Sequence, residues 1–210
     1  MEIPFGKSEF FIITLLQWEE TNFVDFPWRS TSNMWHALVA EVMLQRTRAE
    51  QVVPVYEEFS NKYPTPKSYL DDDFSLIFCK LGLPKRQVEL QKLAVIFNEK
   101  HIPIDKRELL GLPGVGPYIS AAFRSFHLGI PDTIIDSNVV RLYGRYFGFK
   151  THAETRREKW FIQFAEKLTP ISDNRKYNYG LIDFTRAICR PAPKCNECPL
   201  NKKCDFIKSK

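Results

Sequence analysis

Residues Leu109–Arg141, LLGLPGVGPYISAAFRSFHLGIPDTIIDSNVVR, contain a short helix, a glycine-rich turn and a second helix. Gly111, Gly114 and Gly116 crowd one window, and glycine is favoured where the backbone turns with positive φ or approaches another group closely. Pro117 follows, and proline suits the first position of a helix. A turn of this kind presents unpaired N–H groups at the positive end of a helix dipole. It therefore predicts a site for an anion such as phosphate.

An acidic residue, Asp136, follows this hairpin and precedes the next predicted helix. One interpretation is structural, because aspartate before Ser-Asn-Val-Val is a natural helix N-cap. The other is chemical, and the two roles can coexist. Our hypothesis is that the hairpin binds a nucleic-acid backbone and that Asp136 acts beside it.

The chain has 210 residues, 44% of them hydrophobic, and a net charge of +5. This length suffices for one large domain or two small ones. The basic charge permits nucleic-acid binding but equally suits a basic enzyme with no such partner. The apolar run Phe10–Leu16 is too short to span a bilayer, and no signal-peptide cleavage site follows it. We expect an intracellular protein of the cytoplasm or nucleoid, not secreted and without a membrane partner.

Helical periodicity runs through most of the sequence, and no segment alternates as a strand would. The spacing predicts helices over residues 8–18, 33–45, 51–63, 72–80, 86–99, 139–147, 154–168 and 177–188. Asp105, with Glu108 three residues later, resembles a capping box that opens the first helix of the hairpin. The sequence thus predicts an all-α protein.

Four cysteines form the pattern C-x5-C-x2-C-x5-C at Cys189, Cys195, Cys198 and Cys204. In a reducing compartment such a group favours metal binding over disulfides. Four thiolates can hold a 4Fe-4S cluster or one tetrahedral zinc ion. Only one short spacing is present, and the wider flanking loops favour the bulkier iron–sulfur cluster. Cys79 stands alone in an apolar context, which predicts a small core residue.

Glu41 lies inside the second predicted helix, with Ala37, Leu38 and Leu44 on the same face. A carboxyl among apolar groups can donate a proton or a hydrogen bond, whereas a glutamate at the edge of the stripe would reach water. Two carboxyls in different environments suit cleavage of a glycosidic bond. One assists the leaving group, and the other, as an anion, stabilises the oxocarbenium-like sugar and orients water. Glu41 and Asp136 form such a pair.

These motifs resemble those of the helix-hairpin-helix DNA glycosylases of base-excision repair. The matching segments, in the family's order, are Phe26–Arg29, Glu41–Thr47, Gly82-Leu83, Leu112–Gly116, Asp136–Val139 and the four-cysteine tail. The resemblance implies an all-α, two-lobed helix-hairpin-helix glycosylase fold with a C-terminal 4Fe-4S loop. The helical barrel lobe with the hairpin would span residues 30–132, and the iron–sulfur lobe would combine 1–29 with 133–210. The target base would flip into the cleft.

The resemblance also implies roles for individual residues. Asp136 would be the catalytic aspartate, Asn138 in the base pocket would support the backbone or water beside it, and Glu41 would face the flipped base. Relatives that also cut the strand, such as endonuclease III, carry a lysine at the position of Tyr118 that forms a Schiff base. A phenol cannot form that imine, so a monofunctional glycosylase without AP-lyase activity is expected. Tyr118 would line the base pocket, with core packing as the alternative.

The residues that the resemblance places against DNA are Gly114, Val115, Gly116, Gln45, Arg46 and Leu83. Gln45, Arg46 and Leu83 would fill the gap left by the base. For Arg46 a phosphate contact is an equal alternative, and Leu83 alternatively packs its own turn.

Two branches of the family share Glu41, Tyr118 and Asp136: thymine glycosylases acting on G·T or G·U, and adenine glycosylases acting opposite guanine or 8-oxoguanine. The run Gln45–Arg48 departs from the Gln-Gln-Thr of the adenine branch and favours thymine or uracil. The chain ends six residues after Cys204, so we expect no further C-terminal domain like that of adenine glycosylases.

The prediction is a monomeric enzyme acting on double-stranded DNA with a mismatched or damaged base. An adenine glycosylase, a non-catalytic DNA-binding protein and a zinc-stabilised structural protein are the alternatives. The segment between the first two cysteines departs from the family pattern, with five intervening residues instead of the usual six.

Overall fold

The computed structural model describes residues 5–72, 77–82 and 84–208, and this part of the chain is helical, without a β-strand. The helices are α1 Phe5–Asn22, α2 Met34–Met43, α3 Ala49–Lys62, α4 Pro66–Leu70, α5 Pro84–Glu99, α6 Lys106–Leu110, α7 Pro117–Ala122, α8 Ser137–Phe147, α9 Lys159–Leu168, α10 Asn174–Ala187 and α11 Asp205–Lys208. Short 3₁₀ turns and one π-helical turn, Phe123–His127, accompany them. The predicted all-α class is confirmed. No described helix is long and apolar enough to cross a membrane.

Six of the predicted helices correspond to α1, α2, α3, α5, α8 and α10. The prediction of one helix over residues 154–168 is wrong. A 3₁₀ turn at Thr155–Arg157 is followed by Glu158 in extended conformation (ψ 131°), and α9 begins only after it. The helix predicted over 72–80 lies partly outside the described residues, and Ile77–Leu81 forms a 3₁₀ turn.

The chain divides into two compact units. Residues Asp25–Leu128 form the central unit, and the residues up to Val24 together with those from Gly129 onward form the terminal unit. The divisions lie five and four residues before the expected ones at 29/30 and 132/133.

The central unit is built around α2, whose residues Trp35–Met43 are all buried. Asn33 begins the helix, because its Oδ1 accepts hydrogen bonds from the backbone N–H groups of Trp35 (2.9 Å) and His36 (3.2 Å). The helix packs against α3, α5, α7 and the π-helical turn. It therefore carries Glu41 into the core.

The terminal unit packs α1 against α10 and α10 against α8. Phe11 is fully buried, with ring centroids 5.6 Å from Tyr143 and 4.9 Å from Tyr146, and burial of such a ring contributes about 1.5–3 kcal/mol. The hydroxyls of Tyr143 and Tyr177 lie 3.0 Å apart, and burial raises the pKa of both. These contacts fix α8, which Asp136 begins.

Candidate active site

Glu41 is the buried acid of the central unit. The residue is 2% exposed, so the interpretation as a carboxyl among apolar groups is confirmed and that of a solvated edge glutamate is wrong. Its Oε1 lies 3.0 Å from Nε2 of His127, and both side chains are 3% exposed. A buried carboxyl needs such a partner, because an unpaired buried polar group costs about 1–3 kcal/mol.

His127 was missed by the sequence analysis. It is the last residue of the π-helical turn Phe123–His127, which the Leu128 N–H closes by donating to the carbonyl of Phe123 at 3.3 Å. The imidazole Nδ1 is buried and has no hydrogen-bond partner among the described residues. A π-helical turn is rare and leaves no signature in helical periodicity, so the pattern could not reveal the contact with Glu41.

Asp136 is the N-cap of α8, so the structural interpretation of this residue is confirmed. One carboxylate oxygen accepts the backbone N–H of Val139 at 2.7 Å. The other accepts the side-chain amide of Asn138, also at 2.7 Å. Both hydrogen bonds and the helix N-terminus stabilise a negative charge on this carboxyl. A carboxylate anion can in turn stabilise a positively charged sugar.

Arg141, which the sequence analysis did not select, supports this arrangement. Its Nη1 donates to Oδ1 of Asn138 at 2.8 Å, while Nε donates to the carbonyl of Cys189 at 3.0 Å and Nη2 to that of Thr185 at 3.3 Å. Burial lowers the pKa of Arg141 from its ordinary value. The guanidinium thus fixes the Asn138 amide with its N–H groups facing Asp136.

The glycine hairpin joins α6 to α7. Asp105 is the N-cap of α6, as predicted, and Gly114 has a positive φ of 74°. Gly116 is the N-cap of α7, with φ −95°, and Pro117 takes the first helical position. The Val115 N–H, however, donates to Leu112 O within the turn, at 3.2 Å, and Val115 is buried. An anion at this hairpin must therefore use the neighbouring N–H groups.

The segment after α2 lies against this hairpin. The side-chain amide of Gln45 donates to the carbonyl of Gly114 at 3.1 Å. Arg46 is exposed and has a positive φ of 59°, a conformation that costs a non-glycine residue energy and occurs often at functional sites. Tyr118, in the first turn of α7, is half-buried. Leu83 lies outside the described residues.

The four C-terminal cysteines line one small cavity, whose wall includes Leu142, Tyr146, Ile188 and Leu200. Cys189 and Cys204 are buried, Cys195 and Cys198 are half-buried, and none of the four forms a disulfide. Burial raises the pKa of Cys198 to about 11 and also raises that of Cys204.

This donor set suits a thiolate-bound group, since four soft ligands converge on one apolar cavity. An N–H of Arg145 lies 3.7 Å from the sulfur of Cys189, as a donor to a thiolate would. In the described part of the chain, however, no three His, Cys, Asp or Glu side chains are arranged to hold a single metal ion.

Cys79 is exposed, so the prediction of a core residue is wrong. It follows Ile77 and Phe78 in a 3₁₀ turn, where these two side chains are buried while Cys79 and Lys80 face solvent. An apolar neighbourhood in sequence did not determine which face of this short turn is buried.

Known proteins are similar to this chain over nearly its whole length, although no family model matches it. The chain is 35% identical to a thymine/uracil-DNA glycosylase of Methanothermobacter thermautotrophicus, covering 95% of this chain and 94% of the relative. It is 30% identical to an adenine DNA glycosylase of Buchnera aphidicola subsp. Schizaphis graminum, covering 93% of this chain and 59% of that relative. A solved thermostable thymine-DNA glycosylase superposes with a TM-score of 0.89 at 32% identity, covering 98% of each chain.

Proposed function

The chain belongs to the helix-hairpin-helix DNA glycosylases of base-excision repair, and from this premise we propose that it hydrolyses the N-glycosidic bond of thymine or uracil paired with guanine. The reaction leaves an abasic site in duplex DNA. The observation that carries the proposal is the contrast between Glu41 and Asp136, whose environments suit the two halves of glycosidic cleavage.

Asp136 acts as the anion. Its carboxylate accepts two hydrogen bonds at 2.7 Å and lies at a helix N-terminus, and both features stabilise a negative charge beside the positive charge that develops on the sugar. The same oxygens can accept a proton of the attacking water. Asn138 holds the carboxylate in place and is itself held by Arg141.

Glu41 acts on the leaving base. The bond cleaves more easily when the departing base gains a proton or a hydrogen bond, because negative charge builds up on it. A carboxyl that is 2% exposed and has one oxygen held by His127 can provide this assistance through its other oxygen. In water the same interaction would be weaker.

Tyr118 supports the absence of AP-lyase activity. Strand cleavage through a Schiff base requires an amine nucleophile, and a phenol cannot form an imine with the abasic sugar. The half-buried ring at the start of α7 is suited instead to contact the flipped base.

The choice of base rests on the relatives and on the run after α2. Thymine or uracil is favoured by the 35% identical relative and by Arg46, where the adenine branch has glutamine. The alternative, removal of adenine opposite guanine or 8-oxoguanine, is favoured by the 30% identical adenine DNA glycosylase.

DNA is the partner of this protein, and we propose that a single chain engages the duplex through the hairpin and the segment after α2. Backbone N–H groups beside Gly114 and Gly116 would bind phosphate. Arg46 is exposed, has a positive φ and follows Gln45, which contacts the hairpin, and these features support a contact of its side chain with the DNA. For Leu83, outside the described residues, filling the gap left by the base stays a prediction, with packing of its own turn as the alternative.

We further propose that Cys189, Cys195, Cys198 and Cys204 hold a 4Fe-4S cluster. The support is the shared cavity, its apolar wall and the Arg145 N–H beside the Cys189 sulfur. When bound, the cluster would cross-link the C-terminal loop through four iron–thiolate bonds. The chain's own contribution is to fix these thiols with 3₁₀ turns at Cys195–Glu197 and Asn201–Lys203.

The experiment for the activity incubates the protein with duplexes holding G·T, G·U, A·G or A·8-oxoguanine, with and without alkali. Strand cleavage that requires alkali, in the G·T and G·U duplexes, is expected. Cleavage of only the adenine duplexes would replace the target base. Cleavage without alkali, with a borohydride-trapped adduct, would overturn the argument from Tyr118. DNA binding without base release from any duplex would favour a non-catalytic binding protein.

The experiment for the cluster measures the visible spectrum and the iron, sulfide and zinc contents of the purified protein. A brown protein with iron and sulfide is expected, and Cys198→Ser should reduce both. Cys79→Ser is the matched control, because this exposed thiol lies outside the group. A colourless protein with stoichiometric zinc would contradict the cluster.

A further inference from the structure

The hydrogen bond between Glu41 and His127 joins two side chains that are buried deep in the central unit. Nε2 of the imidazole lies 3.0 Å from Oε1 of the carboxyl, and each side chain is 3% exposed. In the described part of the chain, Oε2 of Glu41 has no hydrogen-bond partner. The contact therefore holds Oε1 and leaves Oε2 available to bind another group.

The backbone around His127 departs from α-helical geometry where this contact is made. Helix α7 ends at Ala122, and the π-helical turn Phe123–His127 follows directly. Each residue of an α-helix turns by about 100°, so a turn that accommodates one extra residue rotates the following side chains by about that angle. The rotation brings the last residue, His127, onto α2, against which this turn packs.

The two ring nitrogens of His127 have different surroundings, and this decides which of them bonds to Glu41. Nδ1 is buried without a partner among the described residues, so Nε2 is the nitrogen that the fold uses. A doubly protonated ring would leave a charged N–H buried and unmet, which is costlier than an unmet lone pair. The geometry therefore favours an imidazole whose single N–H lies on Nε2 and is donated to Oε1.

We propose that His127 is a positioning residue of the glycosylase reaction: it holds Oε1 of Glu41 through the π-helical turn, so that Oε2 addresses the leaving base. The proposal rests on the proposed function, because it assigns Glu41 to that base. It adds a residue that helical periodicity does not indicate. A carboxyl free to rotate would lose alignment, and misplacement by about 1 Å can cost about 100-fold in rate.

The test compares three variants of the full protein by single-turnover base release and by DNA affinity. His127→Leu removes the donor and should lower the rate by about 10- to 100-fold without changing affinity. His127→Gln keeps an N–H at a similar distance and should recover most of the rate. Phe126→Leu is the packing control, because it alters the same turn and leaves both atoms of the hydrogen bond in place.

A double-mutant comparison separates positioning from packing. In a Glu41→Gln background, His127→Leu should have little further effect on the rate, because both residues act through one contact. The inference is overturned when folded His127→Leu matches the wild type, or when Phe126→Leu loses as much rate and His127→Gln restores none.

A measurement that does not depend on turnover separates this inference from the proposed function. The ¹⁵N chemical shifts of the His127 ring report protonation and hydrogen bonding at each nitrogen. Glu41→Gln should shift the Nε2 resonance more than the Nδ1 resonance. A wild type that releases no base but shows this shift would refute the proposed function and retain the contact. An active wild type with no shift would refute the contact alone.

Discussion

Glu41 and Asp136 are both acidic, yet the chain gives them opposite surroundings. Glu41 lies inside α2 of the central unit, is 2% exposed and has His127 as its hydrogen-bond partner. Asp136 precedes α8 of the terminal unit, is half-buried and accepts a backbone N–H and an amide N–H. Residue type alone therefore does not set the role of an acid. Burial favours a carboxyl that retains a proton, and a helix N-terminus favours an anion.

The largest effect is expected from Asp136→Asn, which removes one of the two acids. Asparagine is also a good N-cap, so its side-chain oxygen can still accept the Val139 N–H and α8 should remain intact. The anion, however, is lost. We expect base release to fall by about 1,000-fold or more in single-turnover assays, at the upper end of what one acid or base group contributes.

The control for this variant is stability and binding. Affinity for a mismatched duplex should match the wild type, and stability should fall by only about 0.5–1.5 kcal/mol, the hydrogen bond that the Asn138 amide loses when it faces another amide NH2. A rate loss far larger than this would be assigned to chemistry. Full activity of Asp136→Asn would show that the residue serves α8 alone, and the contrast with Glu41 would have no catalytic meaning.

A second variant, Glu41→Gln, tests whether the buried acid assists the leaving base. Glutamine keeps the size of the side chain and an oxygen for His127, but it has no carboxyl proton to give. We expect a rate loss of about 100-fold for thymine or uracil release. A loss as large as that of Asp136→Asn, or none, would contradict the division of roles.

The sequence predicted part of this contrast and missed the rest. The apolar face of α2 correctly indicated a buried Glu41, and the Asp-Ser-Asn run correctly indicated an N-cap. Both signals are local, because they depend on residues within one helical turn. His127, by contrast, lies 86 residues away from Glu41 in sequence. The contact between them depends on a π-helical turn, and the turn in turn depends on tertiary packing.

The same limit explains the other differences. Arg141 was missed because its partners, the carbonyls of Thr185 and Cys189, are backbone atoms brought near by the fold. Cys79 was placed in the core because its sequence neighbours are apolar, although a 3₁₀ turn exposes it. The helical class, by contrast, was recoverable, because periodicity is repeated over many residues.

A smaller effect is expected from Gly114→Ala, which tests whether DNA binding can be separated from both acids. Alanine at φ 74° costs about 1–2 kcal/mol, and its Cβ would lie 2.7 Å from Oε2 of Glu89, which must move. We expect lower thermal stability and about tenfold weaker DNA binding, the equivalent of one lost hydrogen bond to phosphate.

Gly116→Ala is the matched control for stability, because φ is −95° there and an added Cβ meets no heavy atom within 4 Å. Its unfolding temperature should stay near that of the wild type. With saturating enzyme, the rate of base release by Gly114→Ala should approach the wild-type value. A rate that stays low would place the hairpin in the chemistry itself.

The smallest effect is expected from Arg141→Lys, which sharpens the account of Asp136. Lysine keeps the positive charge but cannot maintain the planar set of donors that meets Asn138 and two carbonyls at once. Asp136 keeps its bond to the Val139 N–H, so the anion survives while the Asn138 amide loosens. We expect a rate loss of a few fold in single-turnover assays.

Asn138→Ala should give a similar loss, and combining it with Arg141→Lys should add little, because both substitutions act through one amide. Additive losses would show that Arg141 acts on the reaction by a route other than Asn138.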